Sequence, residues 1–219
     1  SRDAFVVLGQ AAAHTRRMAL FPAVTNPFTR HASVLASAIQ TVEELAPGRV
    51  RFVIGTGYTS ASTIGRAPGT LTEMRDCIKA VKGLLAGETV TFGATSGKLG
   101  YAAGRRIPVL MAASGPKAIE VAGEVADGAL LLVGFNRGIV ETALGHLERG
   151  AKRAGRRLED LDVVVDFDVA GSHDAGLVDA QDKRLRVVHV HLQRDLLEVE
   201  DDVGHVLAHA RDRRELVQH

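Results

Sequence analysis

The chain has 219 residues, with 27 Lys and Arg against 26 Asp and Glu for a net charge of +1, and 46% of it is apolar. That length supports one domain with a substantial core, and the near-zero charge gives no reason to invoke nucleic acid or an anionic membrane. No apolar run approaches the roughly 20 residues of a membrane helix, and no secretory signal is recognisable. The single cysteine, Cys77, excludes an internal disulfide framework and fits a reducing, cytoplasmic compartment. With Met74, Ile78 and Val81 at helical spacing around it, Cys77 reads as a core residue. The chain starts at Ser1 and its first segment already reads as mid-domain, so a fragment is expected.

Ala4 to His14 is apolar and alanine-rich, which predicts a helix packed on a sheet. Met18 to Val24 is a continuous apolar run of the kind that forms buried parallel strands. Pro22 within it marks a bulge or an edge, because proline cannot donate to a ladder. Asn26 is expected to cap a helix and Pro27 to start it. Val34, Leu35, Ala38, Ile39, Val42 and Leu45 then recur at helical spacing until Pro47-Gly48. A second strand, Val50 to Ile54, ends in Gly55-Thr56-Gly57, where missing side chains let backbone approach a ligand.

Tyr58 to Gly69 reads as a long loop, and Thr70 to Glu73 has the spacing of a capping box. The helix it opens carries Leu71, Met74, Ile78, Val81 and Leu85 on its apolar face. Val90-Thr91-Phe92 and Lys98 to Tyr101 are expected to pair as a short hairpin. The span 58–107 is longer than an ordinary crossover, so it reads as an insertion that serves as a binding loop or lid.

Val109 to Ala113 is a further strand, and it runs into Ser114-Gly115-Pro116-Lys117. Pro116 suits the first helical position, with Gly115 as N-cap and Ser114 just outside it. Ala118, Ile119, Ala122, Val125 and Ala126 form the apolar stripe, and Gly128 stands where the helix is expected to stop. A helix N-terminus with no capping side chain presents unpaired N–H groups and a positive dipole end, so it can cradle a phosphate, with Lys117 adding charge. An ordinary βα turn looks the same, and both readings stand at this point. Ala129 to Val133 (strand), Gly138 to Ala154 (helix, stopped by Gly155) and Asp162 to Val169 (strand) complete a β-α-β-α rhythm. That rhythm means a parallel α/β architecture, with loop chemistry after the strands at Thr25-Asn26, Gly55 to Gly57, Ser114-Gly115 and Gly134-Phe135.

Three stretches together resemble the luciferase-like superfamily of flavin and deazaflavin oxidoreductases. They are Val24 to His31, Gly48 to Gly57, and Ala112 to Lys117 running on through Gly123 to Gly128. The likeness is nearest to the deazaflavin-dependent branch that contains methylenetetrahydromethanopterin reductase, and it covers residues 5 to 168. It implies a TIM-type (β/α)₈ barrel whose third strand, here Met18 to Val24, carries a bulge behind the cofactor ring near Thr25-Asn26. It also implies that Gly55, Thr56 and Gly57 lie along the cofactor tail, while Ser114, Gly115, Pro116 and Lys117 hold its phosphate. The cofactor implied is coenzyme F-420, with FMN as the alternative, used for hydride transfer to or from a small organic substrate in a homodimer. A complete barrel needs eight strands, and five or six are legible here, with the first two βα units missing and no catalytic acid or base to carry over. The domain reading is a partial barrel over 1–170 and an atypical segment over 171–219.

Within that segment Val187 to Leu192 reads as one more strand and Asp202 to Val217 as a polar helix. His189 with His191, and His205 with His209, have spacings that bring each pair to one face, but no metal motif accompanies them. His31 and Arg30 stand near the cofactor end or in solvent, and Asp166 with Asp168 are paired carboxylates or plain strand-face charges. Three functions stay in play: a deazaflavin oxidoreductase, an FMN-dependent monooxygenase of the same fold, and a catalytically inactive fragment.

Overall fold

The computed structural model describes residues 2–102, 106–134, 136–169 and 186–191. Helix α1 (Ala4–His14) is capped by Asp3, whose carboxylate accepts from the Phe5 and Val6 N–H groups. The apolar run that follows does not form a regular strand. It touches its neighbour only at Leu20, opposite Val50, and at Thr25, opposite Ile54. The six residues from Leu20 to Thr25 face the five from Val50 to Ile54, so this segment holds one residue too many for the ladder, which is a bulge. Met18 and Val24 are consequently exposed rather than buried. The Ala23–Val24 peptide bond is cis.

Helix α2 (Ala32–Leu45) starts five residues later than Pro27, with His31 as its N-cap. Asn26 does not cap it, because its carbonyl oxygen is spent on the turn formed by Phe28 and Thr29. β1 (Phe52–Ile54) follows, then a short helix α3 (Tyr58–Thr63) where a loop was expected. Gly57, at φ 73°, makes the sharp entry, and the Ser62 and Thr63 hydroxyls bond back to the Thr59 carbonyl, so polar side chains support a turn that lacks apolar periodicity. Helix α4 (Leu71–Leu85) carries the full capping box: Glu73 N–H to Thr70 Oγ1 at 3.2 Å and Thr70 N–H to Glu73 Oε2 at 2.8 Å. The hairpin strands are β2 (Val90–Phe92) and β3 (Thr95–Gly97), not residues 98–101, because Gly93 at φ 59° closes the turn at once and pairs Phe92 with Thr95.

β4 (Val109–Ala113), α5 (Pro116–Val125), β5 (Gly128–Leu131), α6 (Arg137–Arg153) and β6 (Asp162–Val169) continue the alternation. α5 ends at the C-cap Ala126, and Gly128 opens β5 instead of stopping the helix. A side chain there would overlap the Asp162 backbone of the adjacent strand. β7 (Arg186–His191) is the strand expected at 187–192. Leu192, the helix expected at 202–217, and His205 with His209 lie outside the described residues, as does Phe135. The sheet order is β1–β4–β5–β6–β7, parallel except for the antiparallel β6–β7 pair.

Alternate residues of each strand face opposite ways. Phe52, Ile54, Val109, Met111, Ala129, Leu131, Val163 and Val165 pack with the helices in the main core. Val53, Leu110, Ala112, Leu130 and Val164 form a smaller cluster on the other face, with Phe21 against it. A parallel sheet with one face under helices and the other apolar is the wall of an α/β barrel.

Candidate functional site at the carboxyl ends of the strands

Registers bring the predicted loops to one edge of the sheet. Gly55 N–H donates to the Thr25 carbonyl at 2.9 Å, and Leu132 N–H donates to the Ala113 carbonyl at 3.0 Å. Thr25, Gly55, Ser114 and Leu132 therefore stand at successive strand ends. A Cβ on Gly55 would lie 3.1 Å from Val24 Cγ2 and 3.4 Å from Ala112 Cβ, so this glycine gives the exposed Val24 its seat.

At the β4–α5 junction Gly115 is the N-cap, in extended conformation, and no side chain caps the helix. The first intrahelical bond is from Ile119 N–H to the Gly115 carbonyl at 3.0 Å, so the Lys117 and Ala118 N–H groups have no carbonyl partner within the helix. Ser114, Pro116 and Lys117 are exposed, and open space surrounds the position a Gly115 Cβ would take. The other end of α5 is closed: the Arg156 guanidinium donates to the Ala126 carbonyl at 2.7 Å and to the Gly123 carbonyl. α5 thus has a satisfied C-terminus and a bare N-terminus on the loop face of the sheet.

Asn26 is 4% exposed and holds the second wall together. Its Oδ1 accepts from the Phe28 and Thr29 N–H groups, both at 2.9 Å, and from the Thr29 hydroxyl at 3.2 Å, while Nδ2 donates to Ser60 Oγ at 2.8 Å. Phe28 and the loop before α4 close over it. The Arg66 guanidinium lies 4.0 Å above the Phe28 ring and pairs with Glu73 at 2.5 Å, and Gly69 N–H donates to the Thr56 carbonyl at 2.8 Å. Sequence reasoning did not single out Phe28, Ser60, Arg66 or Gly69; only the glycine was a legible signal.

Other candidates are engaged by partners of their own. Arg30 pairs with Asp3 and sits over Phe5, which ties it to the start of α1. His31 caps α2 and packs against Phe92 at 4.6 Å. Cys77 is buried, and desolvation pushes its thiol up to about 11. Asp127 lies at the opposite, amino end, where it accepts from Lys82 Nζ at 2.8 Å, Val109 N–H at 3.0 Å and Arg106 at 3.2 Å. Burial pushes its carboxyl up, yet the Lys82, Val109 and Arg106 bonds together outweigh burial and hold it below the usual carboxylate range. Among the described residues no three or more His, Cys, Asp or Glu side chains converge as a metal site, and no helix is long and apolar enough to cross a membrane.

Sheet and edge together define an α/β barrel wall whose loop face offers an uncapped helix N-terminus beside a glycine-lined turn. The chain belongs to the luciferase-like monooxygenase family, whose model matches residues 1–214. It is 34% identical over 195 residues to a 5,10-methylenetetrahydromethanopterin reductase of Methanolobus tindarius, covering 81% of this chain and 58% of that protein. It is 35% identical over 188 residues to an F420-dependent glucose-6-phosphate dehydrogenase of Beutenbergia cavernae, covering 76% and 53%. The chain therefore spans little more than half the length of these curated relatives. Among solved structures, the coenzyme F420 dependent tetrahydromethanopterin reductase from Methanopyrus kandleri superposes with a TM-score of 0.62 at 30% identity, over 74% of this chain and 53% of that one. An F420-dependent secondary alcohol dehydrogenase has a TM-score of 0.66 at 19% identity, over 74% and 53%, and shares the fold. The architecture is accordingly that of a TIM-type barrel, of which this chain holds part.

Proposed function

We propose that the chain binds a phosphate-bearing deazaflavin, coenzyme F-420, and orients it for hydride transfer to or from a small organic substrate. The observation that supports this best is the N-terminus of α5, with no capping side chain and open at the carboxyl ends of the strands. Two free N–H groups and the dipole favour an anion there by about 0.3–1 kcal/mol before any contribution from Lys117. Ser114, Gly115, Pro116 and Lys117 hold the phosphate in this reading. Gly55, Thr56 and Gly57 line the tail, and Thr25 and Asn26 form the wall beyond them.

Residues and cofactor fit on two points. The phosphate end meets donors, and Val24 and Leu132 expose apolar surface at the same strand ends. The bound ring supplies the hydride chemistry, and this chain supplies binding, orientation and shelter from water. A relative named as an F420-dependent dehydrogenase and a solved F420-dependent reductase favour the deazaflavin over FMN.

Fluorescence titration tests the reading. Coenzyme F-420 is expected to bind more tightly than FMN, and inorganic phosphate is expected to compete with it. Saturation by FMN alone would favour the monooxygenase alternative. Binding of neither cofactor would leave the inactive fragment as the account of this chain.

A further inference from the structure

We infer that Asn26 is a positioning residue rather than a cofactor ligand: it fixes the Gly55-Thr56-Gly57 turn through the Ser60 hydroxyl. This deepens the proposed cofactor site and rests on that reading. Asn26 is almost completely buried, and both ends of its amide are engaged by protein. On one side Oδ1 gathers three donors from Phe28 and Thr29. On the other, Nδ2 donates to Ser60 Oγ at 2.8 Å, and Ser60 Oγ donates onward to the Gly57 carbonyl at 3.3 Å. The relay crosses 34 residues of sequence and ends on the one residue of the turn with a positive φ.

Packing tightens the same link. A Cβ on Gly57 would lie 2.6 Å from Asn26 Cβ and 3.1 Å from Ser60 Oγ, so the turn rests directly on the Asn26 side chain. Ala61 N–H also donates to the Gly57 carbonyl, at 2.6 Å, which joins the first turn of α3 to the same point. Removing the Ser60 hydroxyl breaks both bonds of the relay, whereas removing the Asn26 amide also releases the Phe28–Thr29 turn. Both losses break the same Asn26–Ser60 hydrogen bond, and one neutral bond of this kind corresponds to an effect of about fivefold on a ligand held by the turn.

The test uses Asn26→Ala, Ser60→Ala, their double variant and the conservative Ser60→Thr, with two readouts. Amide hydrogen exchange without cofactor is expected to speed up about tenfold over Thr56 to Ala61 in both alanine variants, and to stay unchanged over Leu110 to Ala113. Coenzyme F-420 is expected to bind about fivefold more weakly to each single alanine variant and no more weakly to the double than to the worse single. Ser60→Thr is expected to recover both readouts. Ser60→Ala binding like the wild type while Asn26→Ala loses binding would make Asn26 a direct ligand and overturn the inference, as would unchanged exchange over 56–61. If Asn26→Ala fails to fold, the Ser60 pair alone decides. A wild-type chain that binds no cofactor defeats the proposed function only, and the exchange result still decides the relay.

Discussion

Gly123 of α5 lies against the α6 backbone at Leu147, and Gly150 of α6 lies against the α5 backbone at Glu120, so each helix presents its missing side chain to the other's main chain. This reciprocal contact brings the two helices closer than any side chain would allow, and it seats the helix that carries the candidate phosphate site. Alanine at either position would gain helix propensity but overlap the partner's backbone. Each substitution is expected to destabilise by about 2–3 kcal/mol in denaturant unfolding. Gly145 of the same helix meets only Arg149 at an ordinary 3.8 Å, and Gly145→Ala should stabilise by about 0.5–1 kcal/mol. Equal effects at the three positions would refute the close-packing account.

Gly115 separates stability from binding. Its φ of −91° and ψ of 151° suit any residue, and nothing lies within 4 Å of the Cβ position. Gly115→Asp would bring a good capping carboxylate to free N–H groups, so the protein should gain a few tenths of a kcal/mol. The same carboxylate would occupy the anion site, and coenzyme F-420 affinity should fall at least tenfold. Undiminished binding by a stabilised variant would place the phosphate elsewhere.

Gly57→Ala is expected to cost more than its size suggests. A positive φ costs a non-glycine residue roughly 1–2 kcal/mol, and the new methyl would also press on Asn26 at 2.6 Å. A loss of about 2–3 kcal/mol, read from thermal unfolding, is the expected outcome; a change below the measurement error would contradict the geometry.

Asp127 should govern acid sensitivity. Its carboxyl is held below the usual range in the folded state, so its contribution is present above the unfolded value near pH 4 and is lost as pH falls through the lower folded value. Asp127→Asn is expected to be about 2 kcal/mol less stable than the wild type at pH 7, because Lys82, Arg106 and Val109 lose a shared anionic acceptor. Below pH 4 the two stability curves should converge, and a gap that stays constant with pH would rule out the carboxylate as its source.

The regular units were legible because each is written locally. Helix α1 falls on Ala4–His14 as its apolar pattern indicates, the capping box at Thr70 forms both its bonds, and Pro116 starts α5. Misreadings cluster where a long-range contact overrides a local signal. Asn26 looks like a helix cap, but the Phe28–Thr29 turn and Ser60 claim its amide. Gly128 looks like a helix stop, but it is glycine because the Asp162 backbone lies against it. Tyr58 to Thr63 is the local exception: it lacks apolar spacing, and hydroxyl bonds to the Thr59 carbonyl three and four residues back support it as a helix.

From the residues alone, the β-α alternation from Val109 to Val169, the start of α5 at Pro116 and the likeness to luciferase-type oxidoreductases could all be read. Hydrophobic period and capping chemistry need only neighbours within a few positions. Tertiary structure alone decided that Gly55 bonds to Thr25 across adjacent segments, that Arg30 and His31 turn to other duties, and that Asn26 braces Gly57. Those relations depend on strand register and on contacts between residues tens of positions apart, which no local pattern encodes.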